Sequence, residues 1–322
     1  MDRIESASRT IDPVFLNSPQ FESEPIGEAL GMRFVLKVET VNPIRNFKGR
    51  GTDFFLAGLP ADSPPLVAAS AGNFGQGMAY AARKRGFALT MFAAQNANPL
   101  KVERMRELGA TVRLAGADFD EAKDHARAFA RETGAQFVED GRETPICEGA
   151  GSIAVELCRW PKPLDFLFVP LGNGALLAGI GHWMRAHSAR TQLIAVCAEG
   201  APSMDLSLRN GEVRTTERAD TIADGIAVRV PVPESLDHLK GIPSDIVRVS
   251  DEAMLRAMRL LFLYHGLVVE PSGAAGLAAA MTFRDRYQTS TAGTVLCGGN
   301  LTSAQITEWF SEPRASASGL TK

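Results

Sequence analysis

The chain has 322 residues, with 34 Lys+Arg against 37 Asp+Glu and a net charge of -3. No run of five or six like charges marks a nucleic-acid arm or an acidic tail, and the length allows two modest lobes with a deep site between them. The N-terminus, MDRIESASRTIDP, carries acidic residues and no apolar run, and no segment has the uninterrupted apolar length of a membrane span. The expectation is therefore a soluble, cytoplasmic protein. Cys147, Cys158, Cys197 and Cys297 form no C-x-x-C pair, which suits a reducing compartment and argues against a disulfide frame or zinc knuckle. The first three read as small buried hydrophobes.

Early in the chain, LKVETVNPIRNFKGRGTDFFLAG places Lys48 among Phe47, Gly49 and Gly51, ahead of a helix-like run. From residue 66 the pattern alternates. LVAAS reads as a buried strand, GQGMAYAARKRG as a helix, LTMFAA as a strand and NPLKVERMRELG as a helix; TVRLAG, a helix over Phe119 to Thr133, and AQFVED follow. A second series has strands at DFLFVP, QLIAVCA and TVLCGG, with helices starting near Gly149, Ala175, Asp251 and Pro271. Strands spaced by helices of this length imply βαβ units with parallel sheets and helices on both faces. The fold class expected is α/β, two lobes, each a mostly parallel twisted sheet flanked by helices, with the active site in the cleft between them. The turn-forming stretch RETPICEGAG suggests a junction near Gly141 to Gly149: a small lobe over 47–146 and a large one over 1–46 plus 147–322. The tail SASGLTK reads as frayed.

Ligands of parallel sheets bind at the carboxyl ends of the strands. Three junctions there are rich in glycine and polar residues: SAGNFGQG at 70–77, PLGNGALLAG at 170–179 and CGGN at 297–300. The second puts small residues at a helix start, where free N–H groups attract a phosphate. Gly-rich turns also serve tight packing or dinucleotides, and this one is neither a P-loop nor a full dinucleotide fingerprint. Taken alone, Lys48 could equally be a solvated surface charge.

Together these segments resemble the fold-type-II enzymes that use pyridoxal 5′-phosphate (PLP), the group containing threonine and serine dehydratases, serine racemase, threonine synthase and cysteine synthase. NFKGRGT looks like the family's lysine motif, SAGNFGQG like its substrate loop and GNGALLAG like its phosphate loop. ADGIAV, EPSGAAGLAA and CGGN also look like dehydratase segments, and all six occur in the family's order. The resemblance implies that Lys48 forms the Schiff base with the cofactor and serves as the base at Cα. Phe47 and Gly225 would sandwich the pyridine ring, and Gly172, Asn173, Gly174, Ala175 and Leu176 would donate N–H groups to its phosphate. Ser70, Ala71, Gly72 and Asn73 would receive the substrate carboxylate, with Asn73 also near the cofactor's 3′-oxygen. Cys297 would face the pyridine nitrogen, where a neutral group makes the ring a weaker electron sink and favours elimination. Glu199, Ser203 and Asp205 match a divalent-cation site for Mg²⁺ or Ca²⁺, although a solvated acidic loop explains them equally well. A homodimer is implied by the resemblance alone.

The reaction so implied is β-elimination from a small hydroxy amino acid such as serine or threonine, giving a 2-oxo acid and ammonia. Ala71, where serine racemase has its second acid/base, disfavours racemisation, and the short chain after CGGN leaves no room for a regulatory domain. Asn46 and Phe74 depart from the family's usual Ser and His, and the phosphate loop is thinned to Gly-Asn-Gly-Ala. These changes leave room for a substrate other than threonine. The histidines at 125, 182, 187, 238 and 265 show no metal spacing. Three alternatives stand beside elimination. β-Replacement is suggested by Asn42-Pro43; an amino-acid-binding relative without activity would leave Lys48 unused; a nucleotide-dependent oxidoreductase would leave NFKGRG and CGGN without a role.

Overall fold

The computed structural model describes residues 2–311; the tail 316–322 lies outside them. Among the described residues ten strands are formed: β1 Gln20–Glu22, β2 Arg33–Val38, β3 Leu66–Ala69, β4 Leu89–Ala93, β5 Thr111–Leu114, β6 Gln136–Val138, β7 Phe166–Pro170, β8 Gln192–Ala198, β9 Asp245–Val249 and β10 Thr291–Leu296. They make a six-stranded sheet of order β1-β2-β10-β7-β8-β9 and a four-stranded sheet of order β5-β4-β3-β6. Every pairing is parallel except β1 with β2. The central strands are buried nearly end to end, as sheets covered by helices on both faces require.

Helices at Ala175–His187, Asp251–His265 and Pro271–Thr282 start at the residues the pattern predicts, and Phe119–Thr133 matches at both ends. Ser250 and Asp118 cap two of these, each accepting a first-turn N–H. The segment expected to be a turn-rich junction is different. RETPICEGAG turns helical at Thr144 and runs to Leu157, with Pro145 in its first turn. Its glycines serve close helix crossings instead of a turn. A Cβ on Gly149 would come within 2.6 Å of the Arg50 carbonyl oxygen, and one on Gly151 within 2.8 Å of that of Gly179.

Strands β1, β2 and β9 escape the sequence pattern. In β2 a fully buried Lys37 interrupts the apolar run RFVLKV, because Glu156 neutralises it inside the core. β9, DIVRV, is a partly exposed edge strand with charges at two of its five positions. Among the described residues no helix is long and apolar enough to cross a membrane.

Candidate active site

The carboxyl ends of both sheets face one cleft of about 580 Å³, within the range of small-molecule sites. Phe47, Lys48, Ser70, Ala71, Gly72, Asn73, Asn173, Gly225 and Cys297 all line it. Gly172, Gly174, Ala175 and Leu176 belong to the turn and first helical residues around Asn173.

Lys48 begins the helix Lys48–Ala57, and its position is fixed from two sides. The Phe47 N–H donates to the Cys297 carbonyl at 3.0 Å, and Asn46 bridges to Gly298, so the helix start is tied to the end of β10. Asn46 is fully buried, and its side-chain oxygen accepts the Lys48 N–H at 2.9 Å. It braces the helix start from the residue before the cap position and leaves the cleft wall to Phe47. Two residues further on, Arg50 is wholly buried and spans Glu39 and Glu156 at 2.7 to 3.0 Å. Burial opposes its charge, but Glu39 and Glu156 outweigh this and hold the guanidinium ionised. The Lys48 Nζ projects into the cleft, 4.9 Å from the Phe47 ring centroid and 5.9 Å from that of Phe74.

The Ser70–Asn73 loop ends β3 and opens the helix Asn73–Arg85. The Ser70 hydroxyl accepts the N–H groups of Gly72 and Gly75 at 3.1 and 3.2 Å. It thereby shapes the loop from within. Asn73 donates to Glu270 at 2.6 Å and accepts from Asn300 at 2.8 Å, so its amide orientation is set by the end of β10 and the start of the helix Pro271–Thr282. Burial, then the charge of Asp224, pushes the Glu270 carboxyl up to about 7. Burial likewise raises the Cys297 thiol, which stays neutral and lies 3.7 Å from the Ser272 carbonyl oxygen.

The turn at 172–174 has the form a phosphate needs. Gly174 sits at φ +85°, a left-handed conformation that favours glycine. A Cβ on Gly172 would meet the Gly225 carbonyl oxygen at 2.7 Å, so backbone faces backbone there. The first-turn N–H groups of the helix Ala175–His187 have no intrahelical acceptors, and the buried Asn173 Oδ1 has no hydrogen-bond partner. These features fit a cofactor that carries an anion at one end and an aldehyde at the other, within reach of Lys48.

Glu199, Ser203 and Asp205 do not converge on a cation. Asp205 places its two carboxylate oxygens on Arg209 and Arg248, at 2.5 and 2.6 Å, Ser203 donates to the Val228 carbonyl, and Glu199 is exposed. Guanidinium groups take the charge that a metal would have balanced, and among the described residues no cluster suited to a metal is found.

Several cleft residues went unread in the sequence. Asp140, just past β6, places both carboxylate oxygens on Lys48 Nζ at 2.8 and 2.6 Å. Lys101 pairs with Asp224, and Arg229 with Asp120, so ion pairs join helices beside the four-stranded sheet to the 224–229 segment. Burial disfavours the Lys101 ammonium, but Asp224 more than compensates and raises it. The signal for Asp140 was present. It is the last residue of AQFVED, a recognised strand, at the carboxyl edge where ligand groups gather.

A two-lobed α/β architecture with a lysine and a glycine turn at one shared strand edge defines a class of cofactor-dependent enzymes. Residues 11–298 match the family model described as pyridoxal-phosphate dependent enzyme. The chain is 32% identical over 303 residues to "L-threonine ammonia-lyase" of Thermotoga maritima, covering 94% of this chain and 75% of that one. It is 31% identical to "Threonine dehydratase biosynthetic, chloroplastic" of Arabidopsis thaliana, covering 87% of this chain and about half (48%) of the plant protein's length. A solved threonine deaminase from the organism abbreviated T.th. superposes with a TM-score of 0.88 at 31% identity, covering 94% of this chain and 98% of that one. The chain belongs to the pyridoxal-phosphate dependent enzyme family.

Proposed function

We propose that this protein binds PLP through Lys48 and catalyses β-elimination from a small hydroxy amino acid such as L-threonine or L-serine, giving a 2-oxo acid and ammonia. The observation that carries the reading is the placement of the Lys48 amine in a cleft that Asn173 of the 172–176 turn also lines. The names of the relatives, threonine ammonia-lyase and threonine dehydratase, agree with it.

When bound, the cofactor supplies the electron sink that lets the Cα–H bond break. The chain's own residues do the rest. Lys48 takes the proton from Cα, from the helix start that Asn46 braces. The 172–176 N–H groups would hold the cofactor's anion, and Phe47 and Gly225 would flank its ring. The 70–73 loop holds the substrate carboxylate at the start of the helix Asn73–Arg85, where the positive helix end favours an anion. Asn73, whose amide donates to Glu270 and accepts from Asn300, would stand near the cofactor's 3′-oxygen. Cys297, buried and neutral, would leave the cofactor's ring nitrogen without a counter-charge. The reading includes a small lobe over 47–146, a large lobe from the remainder and a cytoplasmic location, as the sequence pattern suggests, and a homodimer, as the family resemblance implies.

The test is product formation. Purified enzyme given L-serine or L-threonine is expected to release 2-oxo acid and ammonia in equal amounts. If a 2-oxo acid appears only when a thiol or other nucleophile is withheld, and a substituted amino acid forms when it is supplied, replacement is the main reaction.

A further inference from the structure

EPSGAAGLAA opens the helix Pro271–Thr282, whose first ten residues are all buried. The helix packs against β7, β8, β9 and β10 of the six-stranded sheet. The fit is close, since a Cβ on Gly276 would come within 2.9 Å of the Phe168 carbonyl oxygen in β7. A helix packed this tightly has little freedom to shift, so its first turn is a fixed reference for whatever is tied to it.

A polar side chain at a helix start ordinarily accepts an N–H of its own first turn. Here neither one does. Glu270, at the N-cap, makes no such bond and accepts instead from the Asn73 amide and the Asn300 N–H, at 2.6 and 2.9 Å. Ser272 is 2% exposed and lines the cleft, and its hydroxyl accepts the Gly225 N–H at 3.0 Å. Its carbonyl accepts the Cys297 thiol at 3.7 Å. Ser272 therefore holds two residues that the proposed function sets beside the cofactor ring, from segments 47 and 25 positions away. The constraint reaches a third point. A Cβ on Gly225 would lie 2.7 Å from the Ser272 hydroxyl oxygen, and the Gly225 carbonyl oxygen in turn lies 2.7 Å from where Gly172 would carry one. Gly225 is thus wedged between Ser272 and the 172–176 turn.

We infer that Ser272 is a positioning residue for the cofactor. Its hydroxyl sets Gly225 against the ring, its carbonyl sets Cys297 at the ring nitrogen, and through Gly225 it keeps both in register with the turn that holds the phosphate. This rests on the reading of the cleft as a PLP site and adds to it the group that aligns the parts. Gly225 has no side chain with which to anchor itself, so the hydroxyl that accepts its N–H decides where its backbone stands.

The experiment titrates wild type, Ser272→Ala and Ser272→Thr, each freed of cofactor, with PLP. It reads Kd and the position of the visible band, and compares melting temperatures without PLP and at one fixed PLP concentration. Ser272→Ala deletes one oxygen and adds no atom. Its Kd should rise about tenfold, the effect of removing one buried hydrogen-bond acceptor, and its band should move from the wild-type position. PLP should also raise its melting temperature less than that of wild type, because the stabilisation a ligand gives falls as its affinity falls. Ser272→Thr keeps the hydroxyl and should bind within about threefold of wild type. An alanine variant with the wild-type Kd and band overturns the inference, and a melt lowered equally with and without PLP would then mark an ordinary buried serine. If the alanine variant is insoluble, threonine decides, and a loss of about tenfold there overturns the hydroxyl's role. Equal uptake by wild type and alanine variant sinks this inference alone; a wild type that takes up no PLP sinks the proposed function with it.

Discussion

Arg50→Met tests how the reactive lysine is held. The wild-type guanidinium is fully buried and spends its donors on Glu39, Glu156, Ser152 and Ser18. Together with Lys37 it balances the charges of Glu39 and Glu156 inside the protein. Methionine fills similar space but leaves those two carboxylates facing one lysine. Removing one partner of a buried ion pair costs about 3–5 kcal/mol, and for chains of this size that lowers the melting temperature by on the order of 10 °C. Arg50→Lys should recover only part of the loss, because an ammonium cannot span two carboxylates with a planar fork. Arg256→Met supplies the control. Its ion pair with Glu252 is exposed on both sides, and the expected shift is about 1 °C or less. Thermal melts followed by circular dichroism measure all three. If Arg50→Met melts within about a degree of wild type, the buried network does not secure the helix that carries Lys48.

Two further outcomes follow from the cleft. Gly172→Ala would press a Cβ to 2.7 Å from the Gly225 carbonyl oxygen, so the turn must move; cofactor affinity, read by absorbance titration, should fall about tenfold or more with the fold intact. Glu270, held near 7 against an ordinary value of 4.5, keeps a proton in the folded state that the unfolded chain has already lost. Stability therefore declines as pH rises from about 5 to about 7. Glu270→Gln removes that contribution, so wild type should lose ground to it across this window in denaturant titrations; parallel curves would contradict the assignment.

The parallel architecture was legible because β3, β7, β8 and β10 are apolar runs and the helices Asp251–His265 and Pro271–Thr282 begin with a recognisable cap or proline. Local chemistry misled where tertiary contacts decide. Lys37 masked β2 because its neutralising partner, Glu156, is 119 residues away. The glycines of the Thr144–Leu157 helix imitated a turn, although they answer to backbone atoms of Arg50 and Gly179. The acidic pattern at Glu199 and Asp205 suggested a cation because nothing local announced that Arg209 and Arg248 would take up Asp205. Asp140 was missed for the converse reason. Its place at the end of a recognised strand was legible, but its pairing is with a lysine 92 positions earlier.

The most direct test of the account is to incubate the protein with PLP, reduce it with borohydride, digest it and map the modified residue by mass spectrometry. The account predicts one pyridoxyl group, on Lys48, and no such modification in Lys48→Ala. A label on a different lysine, or a wild-type protein that takes up no cofactor, would contradict it.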